Sequence, residues 1–177
     1  MKMPTNKTPF DEAVSRLFNI SIFKDFSESN PEDVNMFREL YEKFFAETYD
    51  PGDLIVREGE EGNNLYILSS GAVKVFRNTQ FGDEIAIADL DDSLNVCFGE
   101  AALIDADYRS ATVRAVTKCR TLVLNGTDFV EFCTKYPNLG FHVYKQITKR
   151  MMQFIRRANN DIAMLYAALF REIEGTA

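Results

Sequence analysis

The segment that decides the fold reads Val96-Cys97-Phe98-Gly99-Glu100-Ala101-Ala102-Leu103-Ile104-Asp105-Ala106-Asp107-Tyr108-Arg109-Ser110-Ala111-Thr112-Val113. Its one arginine, Arg109, follows a long interval after Arg77 that contains no Lys or Arg. Acidic residues crowd the same interval, so Arg109 is an isolated cation in an acidic part of the chain. Such an arginine either pairs with a carboxylate to stabilise the fold or binds an anionic ligand.

The residues before Arg109 are suited to a short helical turn with free amides. Gly99 lets the backbone turn closely, and residues 101–103 are small or favour helices. The first amides of such a turn have no partner within it and form an anion site. A guanidinium keeps its charge and donates two hydrogen bonds in a fixed fork, which suits a phosphate. Since Glu100 can accept from a sugar hydroxyl, the segment predicts a pocket for a small sugar phosphate with a single negative charge.

These residues resemble the phosphate-binding cassette of cyclic nucleotide-binding domains. That family includes the bacterial catabolite activator protein, the regulatory subunits of cAMP-dependent protein kinase, and cyclic-nucleotide-gated channels. The resemblance rests on Phe98-Gly99-Glu100, on Ala102-Leu103 and on residues 109–113. Residues 51–73 resemble the early strands of the same family. The likeness extends from about Tyr49 to Val123 with both motifs in the family's order, so it is more specific than a lone glycine motif.

The resemblance implies a set of ligand contacts. In the family, the glutamate at the position of Glu100 binds the ribose 2′-hydroxyl, and the arginine at the position of Arg109 binds the cyclic phosphate. The backbone amides of Gly99, Ala101 and Ala102 and the Ser110 hydroxyl are implied as further contacts. The residues expected to bind ligand are Phe98, Gly99, Glu100, Ala101, Ala102, Arg109, Ser110 and Ala111. The structural alternative is a buried salt bridge between Glu100 and Arg109.

Composition and charge disfavour several classes of function. The net charge of −7 and the pI near 4.8 disfavour direct binding of DNA or RNA, since a protein that binds a polyanion carries a basic surface. The sequence has no apolar run of about 18 residues and no signal segment, which predicts a soluble cytoplasmic protein without membrane contact. Cys97, Cys119 and Cys133 do not have zinc-site spacing, and His142 is the only histidine. We therefore expect no metal, no cofactor and no enzymatic activity.

The sequence divides into four parts. Residues 1–9 are polar and are expected to be flexible. Residues 10–48 form an N-terminal helical segment, in which Asn30 is the expected cap of a helix opened by Pro31. Residues 49–125 form a β-roll that contains the cassette at residues 98–113. Residues 126–177 form a hinge and a long helix that serves as a lid or a dimerisation element, as the family resemblance implies.

Short apolar runs separated by turn residues predict strands between about Phe45 and Leu124. The runs cover residues 53–56, 64–68, 72–77, 84–88, 110–115 and 121–124. Short strands at this spacing favour an antiparallel roll over a parallel sheet. The expected fold is mainly β with flanking α-helices. It is an antiparallel double-stranded β-roll, jelly-roll-like, with an N-terminal helical bundle and a long C-terminal helix.

The C-terminal part predicts a short helix capped by Thr127 and a long helix from Pro137 to about Glu172. An apolar stripe with three- and four-residue spacing is formed by Tyr144, Ile147, Met151, Phe154, Ala158, Ile162, Leu165 and Leu169. Residues 162–170 are nearly all apolar, which predicts a homodimer or an unknown protein partner, unless the helix folds back on its own roll. The expected solvated face carries Lys145, Lys149, Arg150, Arg156 and Arg157. The candidates for a lid over the purine are Gln153, Phe154 and Ile155.

These observations predict a cyclic nucleotide sensor in which ligand binding moves the C-terminal helix. The first choice of ligand is cAMP and the alternative is cGMP, because a hydroxyl after the arginine, here Ser110, occurs in family members of both kinds. The competing hypothesis is a protein-interaction scaffold that keeps the roll without binding nucleotide.

Overall fold

A computed structural model describes residues 3–104 and 107–175. Its α-helices are α1 (Phe10–Asn19), α2 (Pro31–Glu42), α3 (Gly126–Lys135) and α4 (Pro137–Gly175). Its strands are β1 (Met3–Thr5), β2 (Phe45–Tyr49), β3 (Leu54–Val56), β4 (Glu61–Gly62), β5 (Asn64–Ser70), β6 (Ala72–Asn78), β7 (Glu84–Asp91), β8 (Cys97–Phe98), β9 (Asp107–Tyr108), β10 (Thr112–Ala115) and β11 (Cys119–Asn125).

The strands form two larger antiparallel sheets and a small one. One sheet has the order β1-β2-β11-β5-β8, the second has the order β3-β10-β6-β7, and β4 pairs with β9 alone. Every strand pairing is antiparallel. The expected fold, an antiparallel β-roll with flanking helices, is therefore confirmed.

The five-stranded sheet is buried on both faces. On β5, Leu65 and Ile67 belong to the cluster formed with the helices, whereas Tyr66 and Leu68 belong to the cluster between the two sheets. Side chains alternate between the faces of a strand, so each face of β5 must be covered by a different layer. This explains why Leu65-Tyr66-Ile67-Leu68 is a continuous apolar run rather than an alternating one.

The sheets begin earlier in the chain than the sequence predicts. Met3–Thr5 forms β1 and pairs with β2, and the Lys7 ammonium donates to the Phe44 carbonyl at 3.1 Å. The expectation of a flexible segment over residues 1–9 is therefore wrong for residues 3–7, while Met1 and Lys2 lie outside the described residues. The expected helical segment 10–48 likewise ends too late, since Phe45–Tyr49 is a strand of the five-stranded sheet.

The cap of α2 is the residue predicted from the sequence, whereas the cap of α3 is a different one. Asn30 accepts a hydrogen bond from the Glu32 amide at 3.0 Å, with Pro31 in the first helical position, as predicted. At α3 the cap is Asn125 and not Thr127, because the Asn125 side chain accepts from the Thr127 amide at 2.9 Å.

The long helix α4 divides into a docked and an exposed part. Leu139, Val143 and Ile147 are fully buried against the core, whereas residues 151–171 are exposed apart from Ala158, which is half-buried. Despite its length, neither α4 nor any other helix in the described ranges is apolar enough to cross a lipid bilayer.

Candidate functional site

Backbone pairing fixes Arg109 beside the loop that precedes β5. The Arg109 amide donates to the Glu60 carbonyl at 2.9 Å, and the Gly59 amide donates to the Arg109 carbonyl at 2.9 Å. The neighbouring pairing of Gly62 with Asp107 continues this contact as the small β4–β9 sheet. The cassette arginine is thus held against the glycine-containing loop that the sequence analysis had assigned to the early strands.

The guanidinium of Arg109 lies between the backbones of two glycines. An ideal Cβ built on Gly62 would lie 2.6 Å from Cζ of Arg109, and one built on Gly99 would lie 2.7 Å from Nη1. Gly99 also has a φ of +76°, in the left-handed region that favours glycine. A side chain at either position would therefore push Arg109 out of its present location.

Polar and aromatic contacts complete the setting of Arg109. Its Nη2 donates to the Asn64 carbonyl at 2.9 Å, and its Cζ lies 5.9 Å from the centre of the Tyr66 ring. The Tyr66 ring stacks on Phe98, with the ring centres 5.3 Å apart and the planes 12° from parallel. Phe98 is buried in the core, so the Tyr66 ring packs against a core side chain.

Arg109 is a half-buried cation. Burial lowers the pKa of its guanidinium from the ordinary value, with the Tyr66 hydroxyl opposing that effect, but an arginine remains charged in proteins. No carboxylate side chain that the structure describes forms an ion pair with Arg109, so the salt bridge to Glu100 considered above is not present. A partly desolvated guanidinium in this state favours an anionic ligand.

A pocket of about 150 Å³ opens beside Arg109, lined among others by Gly62, Asn64 and Tyr66. A larger cavity of about 500 Å³ lies elsewhere, between the α1–α2 loop and the start of α4. Its lining includes the carboxylates of Asp25, Glu32 and Asp33, which would repel a phosphate. The larger lining also includes Lys135 and His142, and the smaller pocket combines Glu60 and Glu61 with Arg57 and Arg109. The smaller pocket therefore has the less negative lining, which favours it as the phosphate site.

The turn predicted after Gly99 is present as a 3₁₀ helix over Glu100–Leu103. The Ala102 amide already donates to the Gly99 carbonyl at 3.1 Å, so it is not a free donor as the sequence analysis expected. Ala101 is exposed and Ala102 is buried. A 3₁₀ turn closes its hydrogen bonds one residue earlier than an α-helical turn, which is why the free amides end at Ala101.

Glu100 pairs with an arginine that the sequence analysis had placed in solvent. Nη2 of Arg150 lies 3.3 Å from Oε1 of Glu100, and Nη1 of Arg150 lies 3.3 Å from the Ser21 hydroxyl and 3.7 Å from the Cys97 sulfur. The expected solvated face of α4 is therefore wrong for Arg150, because the helix docks with this side chain toward the cassette.

The remaining predicted site residues do not line the pocket beside Arg109. Ser110 is exposed and Ala111 is half-buried, while Asp105 and Ala106 of the cassette lie outside the described residues. The lid candidates Gln153, Phe154 and Ile155 are exposed and do not line the pocket beside Arg109. In this conformation α4 contacts the cassette through Arg150, but its lid candidates do not cover the pocket beside Arg109.

Sequence reasoning missed residues that act through the backbone or through a distant element. Asn64 contributes its carbonyl, for which a side-chain pattern gives no signal. Gly62 lay within the recognised early strands, yet its role depends on the position of Arg109, which only the fold reveals. Arg150 was indistinguishable in sequence from its basic neighbours on α4.

Residues 46–136 match the family model described as "Cyclic nucleotide-binding domain", which is more than half of the chain. The chain belongs to the cyclic nucleotide-binding domain family. This confirms the resemblance drawn from the cassette, and it identifies the chain as carrying a regulatory type of domain.

Individual relatives of this cyclic nucleotide-binding domain agree with that assignment. The human potassium/sodium hyperpolarization-activated cyclic nucleotide-gated channel 4 is 35% identical over 105 residues, which is 59% of this chain and 8% of the channel. The crystal structure of Thermus thermophilus catabolite activator protein is similar with a TM-score of 0.65 and 27% identity, covering 79% of this chain and 62% of that one. A cyclic nucleotide-binding domain from Methylobacillus flagellatus shares the fold, with a TM-score of 0.72, 18% identity and coverage of 91% and 87%.

Proposed function

We propose that this domain binds cAMP, with the cyclic phosphate on Arg109, and transmits its occupancy to α4. The observation that carries the proposal is the half-buried Arg109 guanidinium, which sits between two glycine backbones with no described carboxylate paired to it. A fixed, partly desolvated cation of this kind is costly unless an anion neutralises it. The second choice of ligand is cGMP.

Groups of the cassette that do not line the pocket beside Arg109 suit the sugar-phosphate part of a cyclic nucleotide. The Glu100 carboxylate is the acceptor for the ribose 2′-hydroxyl, and the Gly99 and Ala101 amides and the Ser110 hydroxyl add donors near the phosphate. The pocket of about 150 Å³ is smaller than the roughly 300–1,000 Å³ typical of small-molecule sites. The base would therefore extend beyond it, toward the region that a moved α4 could cover with Gln153, Phe154 or Ile155.

The contact between the cassette and α3 supports a mechanical link to α4. A Cβ built on Gly126, the first residue of α3, would collide with the Ala102 carbonyl group of the cassette turn. Asn125, which caps α3, also donates to the Asn64 side chain at 3.1 Å, and Asn64 accepts from Arg109. A ligand that draws the cassette inward would displace the start of α3 and thereby shift α4. This requires that the ligand has different affinities for the protein before and after the shift of α4.

The exposed part of α4 supports self-association. Exposed or half-buried residues recur with alternating spacings of four and three at Met151, Ile155, Ala158, Ile162, Leu165 and Leu169. One set of the repeat is Ile155, Ile162 and Leu169, and the other is Met151, Ala158 and Leu165. Ile155 and Ile162 in the first set and Leu165 in the second match the residues that favour a parallel two-stranded coiled coil. The proposed occupant of this face is α4 of a second copy of the chain.

Thermal unfolding with cAMP, cGMP, 5′-AMP or no nucleotide tests the ligand. A ligand at about a hundredfold above its dissociation constant adds roughly 2.7 kcal/mol of stability. We expect the largest rise in Tm with cAMP and little with 5′-AMP, and cAMP to be recovered intact after incubation. A cooperative transition that neither cyclic nucleotide shifts would reject binding and favour the scaffold hypothesis.

A further inference from the structure

Strand β7 forms an edge of the four-stranded sheet. It is last in the order β3-β10-β6-β7, and β6 is its only partner among the described strands. It spans eight residues, Glu84–Asp91, and is the longest strand in the described ranges. Along an edge strand, alternate residues direct their amide and carbonyl groups away from the sheet. Outside the pairing with β6, no backbone hydrogen bond between described residues involves β7, so these groups are available to an added strand.

Large apolar side chains are exposed along the same edge. Ile85 is 51% exposed and Ile87 is 54% exposed, and Phe81, in the turn before β7, is 92% exposed. Exposed apolar residues that are scattered singly need no explanation, but here three lie close together beside unpaired backbone. An added strand would cover them and gain cross-strand contacts with β-branched side chains.

The stretch that contains β7 is acidic. Residues 78–108 contain no Lys or Arg, and five carboxylates lie between Asp83 and Asp92. Three described cations contact this stretch, namely Lys74 at Asp89 (3.1 Å), Arg114 at Glu84 (3.0 Å) and Arg16 at the Asp92 carbonyl (2.7 Å). Five carboxylates therefore face three cations, and the edge keeps an excess of negative charge. Such an edge attracts Lys and Arg side chains and repels carboxylates.

A second copy of β7 does not fit this edge. Antiparallel pairing of two copies about the centre of the strand, between Ile87 and Ala88, would place Glu84 of each copy opposite Asp91 of the other. Like charges directly opposite each other destabilise a sheet. The register of the β6–β7 pairing also shifts between Val75 and Phe76, and such a bulge twists the strand locally. A short flexible segment can follow this twist more easily than a strand already fixed in another sheet.

We propose that β7 is a docking edge for an extended basic segment of another protein, in which apolar residues alternate with Lys or Arg. The segment adds to the sheet as a fifth strand beside β7. Main-chain hydrogen bonds supply affinity in this mode of binding, and the side chains supply specificity. The inference does not depend on nucleotide binding, because no residue of β7 lines the pocket beside Arg109.

The test uses a fluorescent peptide of four Lys-Val repeats, which matches β7 in length. Its binding is measured by anisotropy in about 0.15 M salt, where exposed charges are partly screened. Two control peptides replace Lys by Glu or carry methyl groups on alternate backbone amides. The protein variant is Ile85→Lys/Ile87→Lys, and Val130→Lys/Phe141→Lys is its matched control, because it exchanges two exposed apolar residues for lysine on α3 and α4.

Wild type and the Val130→Lys/Phe141→Lys control should bind the Lys-Val peptide with the same affinity. Ile85→Lys/Ile87→Lys should bind at least about tenfold more weakly, because it loses two cross-strand contacts and gains two like charges. Neither control peptide should bind wild type. Equal affinity of all three folded proteins would overturn the proposal, as would no binding by wild type at about 1 mM peptide. Equal binding of the methylated peptide would show that backbone pairing plays no part, which would also overturn it.

Hydrogen exchange measured by NMR locates the peptide. In wild type, the Lys-Val peptide should slow exchange of alternate amides between residues 84 and 91, since those that face away from β6 gain a partner. The amides of β3, at the opposite edge of the same sheet, should be unchanged. Binding that leaves the β7 amides unprotected would place the peptide elsewhere on the acidic surface and overturn the inference.

Discussion

The guanidinium of Arg109 and the backbone of Gly62 are in direct contact, so closely that a Cβ on Gly62 would lie 2.5 Å from Nη2. Arg109 can occupy this position only because residue 62 has no side chain. The contact explains how this cation is held in one orientation without an ion pair to a described carboxylate. It also makes Gly62 a site at which ligand binding can be disrupted without altering any charged group.

The first prediction concerns Gly62→Ala. The added methyl group should displace Arg109 and weaken cAMP binding by about tenfold to a hundredfold, as expected for the loss of charge-assisted hydrogen bonds. Titration calorimetry measures the affinity, and circular dichroism checks that the variant is folded. Wild-type affinity in a folded Gly62→Ala protein would show that the position of Arg109 does not matter for binding.

Gly99 can be compared with a glycine of similar conformation in open space. Gly52 has a φ of +89° with nothing within 4 Å of a built Cβ, whereas a Cβ on Gly99 would lie 2.7 Å from the Asn64 carbonyl oxygen. The free energy of unfolding of Gly52→Ala should therefore fall only by the cost of placing alanine in the left-handed region, about 1–2 kcal/mol. The free energy of unfolding of Gly99→Ala should fall by at least about 1 kcal/mol more, because the added methyl group clashes with the Asn64 carbonyl. Urea unfolding measures both losses, and equal values would contradict the tight packing around Arg109.

The Asp25 carboxylate should make stability depend on pH. It hydrogen-bonds His142 Nδ1 at 3.0 Å and the Gln146 amide at 2.7 Å, and these bonds lower its pKa in the folded state. A lowered folded pKa means that this stabilisation is present above the unfolded pKa of about 3.9 and is lost as the pH falls through the folded value. The loss of unfolding free energy in Asp25→Asn should therefore be larger at pH 6 than near pH 3.5.

Asp161→Asn, on the exposed part of α4, is the control for the Asp25 experiment. Chemical denaturation of the three proteins at each pH provides the comparison. A loss in Asp25→Asn that is the same at both pH values would show that the lowered pKa of Asp25 does not contribute to stability.

Self-association through α4 should depend on Leu165, which is 70% exposed on the repeating apolar face. Leu165→Glu should sediment as a monomer at concentrations where wild type is a dimer, because a coiled coil cannot bury two facing carboxylates. Asn160→Glu adds the same charge outside the repeat and should leave the dimer intact. Dimerisation of Leu165→Glu equal to wild type would exclude this face as the interface.

Much of the fold could be predicted from local patterns, because those patterns reflect local physics. The sequence predicted helices in the N-terminal segment, and Pro31 and Pro137 marked the first residues of α2 and α4. The strand β2 was assigned to the helical segment because it begins at Phe45, shortly after α2 ends at Glu42, with no glycine or proline between them. Two-residue strands such as β4 and β9 exist only through their pairing, so their own sequences carry no signal.

The sequence was sufficient to propose the residues of the candidate site, but not to predict their supporting contacts. Glu100 and Arg109 could be selected from the cassette pattern, and the structure surrounds Arg109 as an anion site requires. The partner of Glu100 could not be selected, since Arg150 is far away in sequence and its orientation depends on how α4 docks. For the same reason, the cap of α3 was misassigned between Asn125 and Thr127, which are close neighbours with similar capping chemistry.

The central claim is that Arg109 binds the phosphate of a cyclic nucleotide, and calorimetric titration of cAMP into wild type, Arg109→Ala and Arg38→Ala tests it most directly. Arg38 is an exposed arginine on α2 that pairs with Asp11, so its variant removes the same charge outside the site. Wild type and Arg38→Ala should bind cAMP with the same affinity, and Arg109→Ala should bind at least about a hundredfold more weakly, given several charge-assisted hydrogen bonds to one phosphate. Equal affinity of all three folded proteins, or no binding by wild type, would contradict the account.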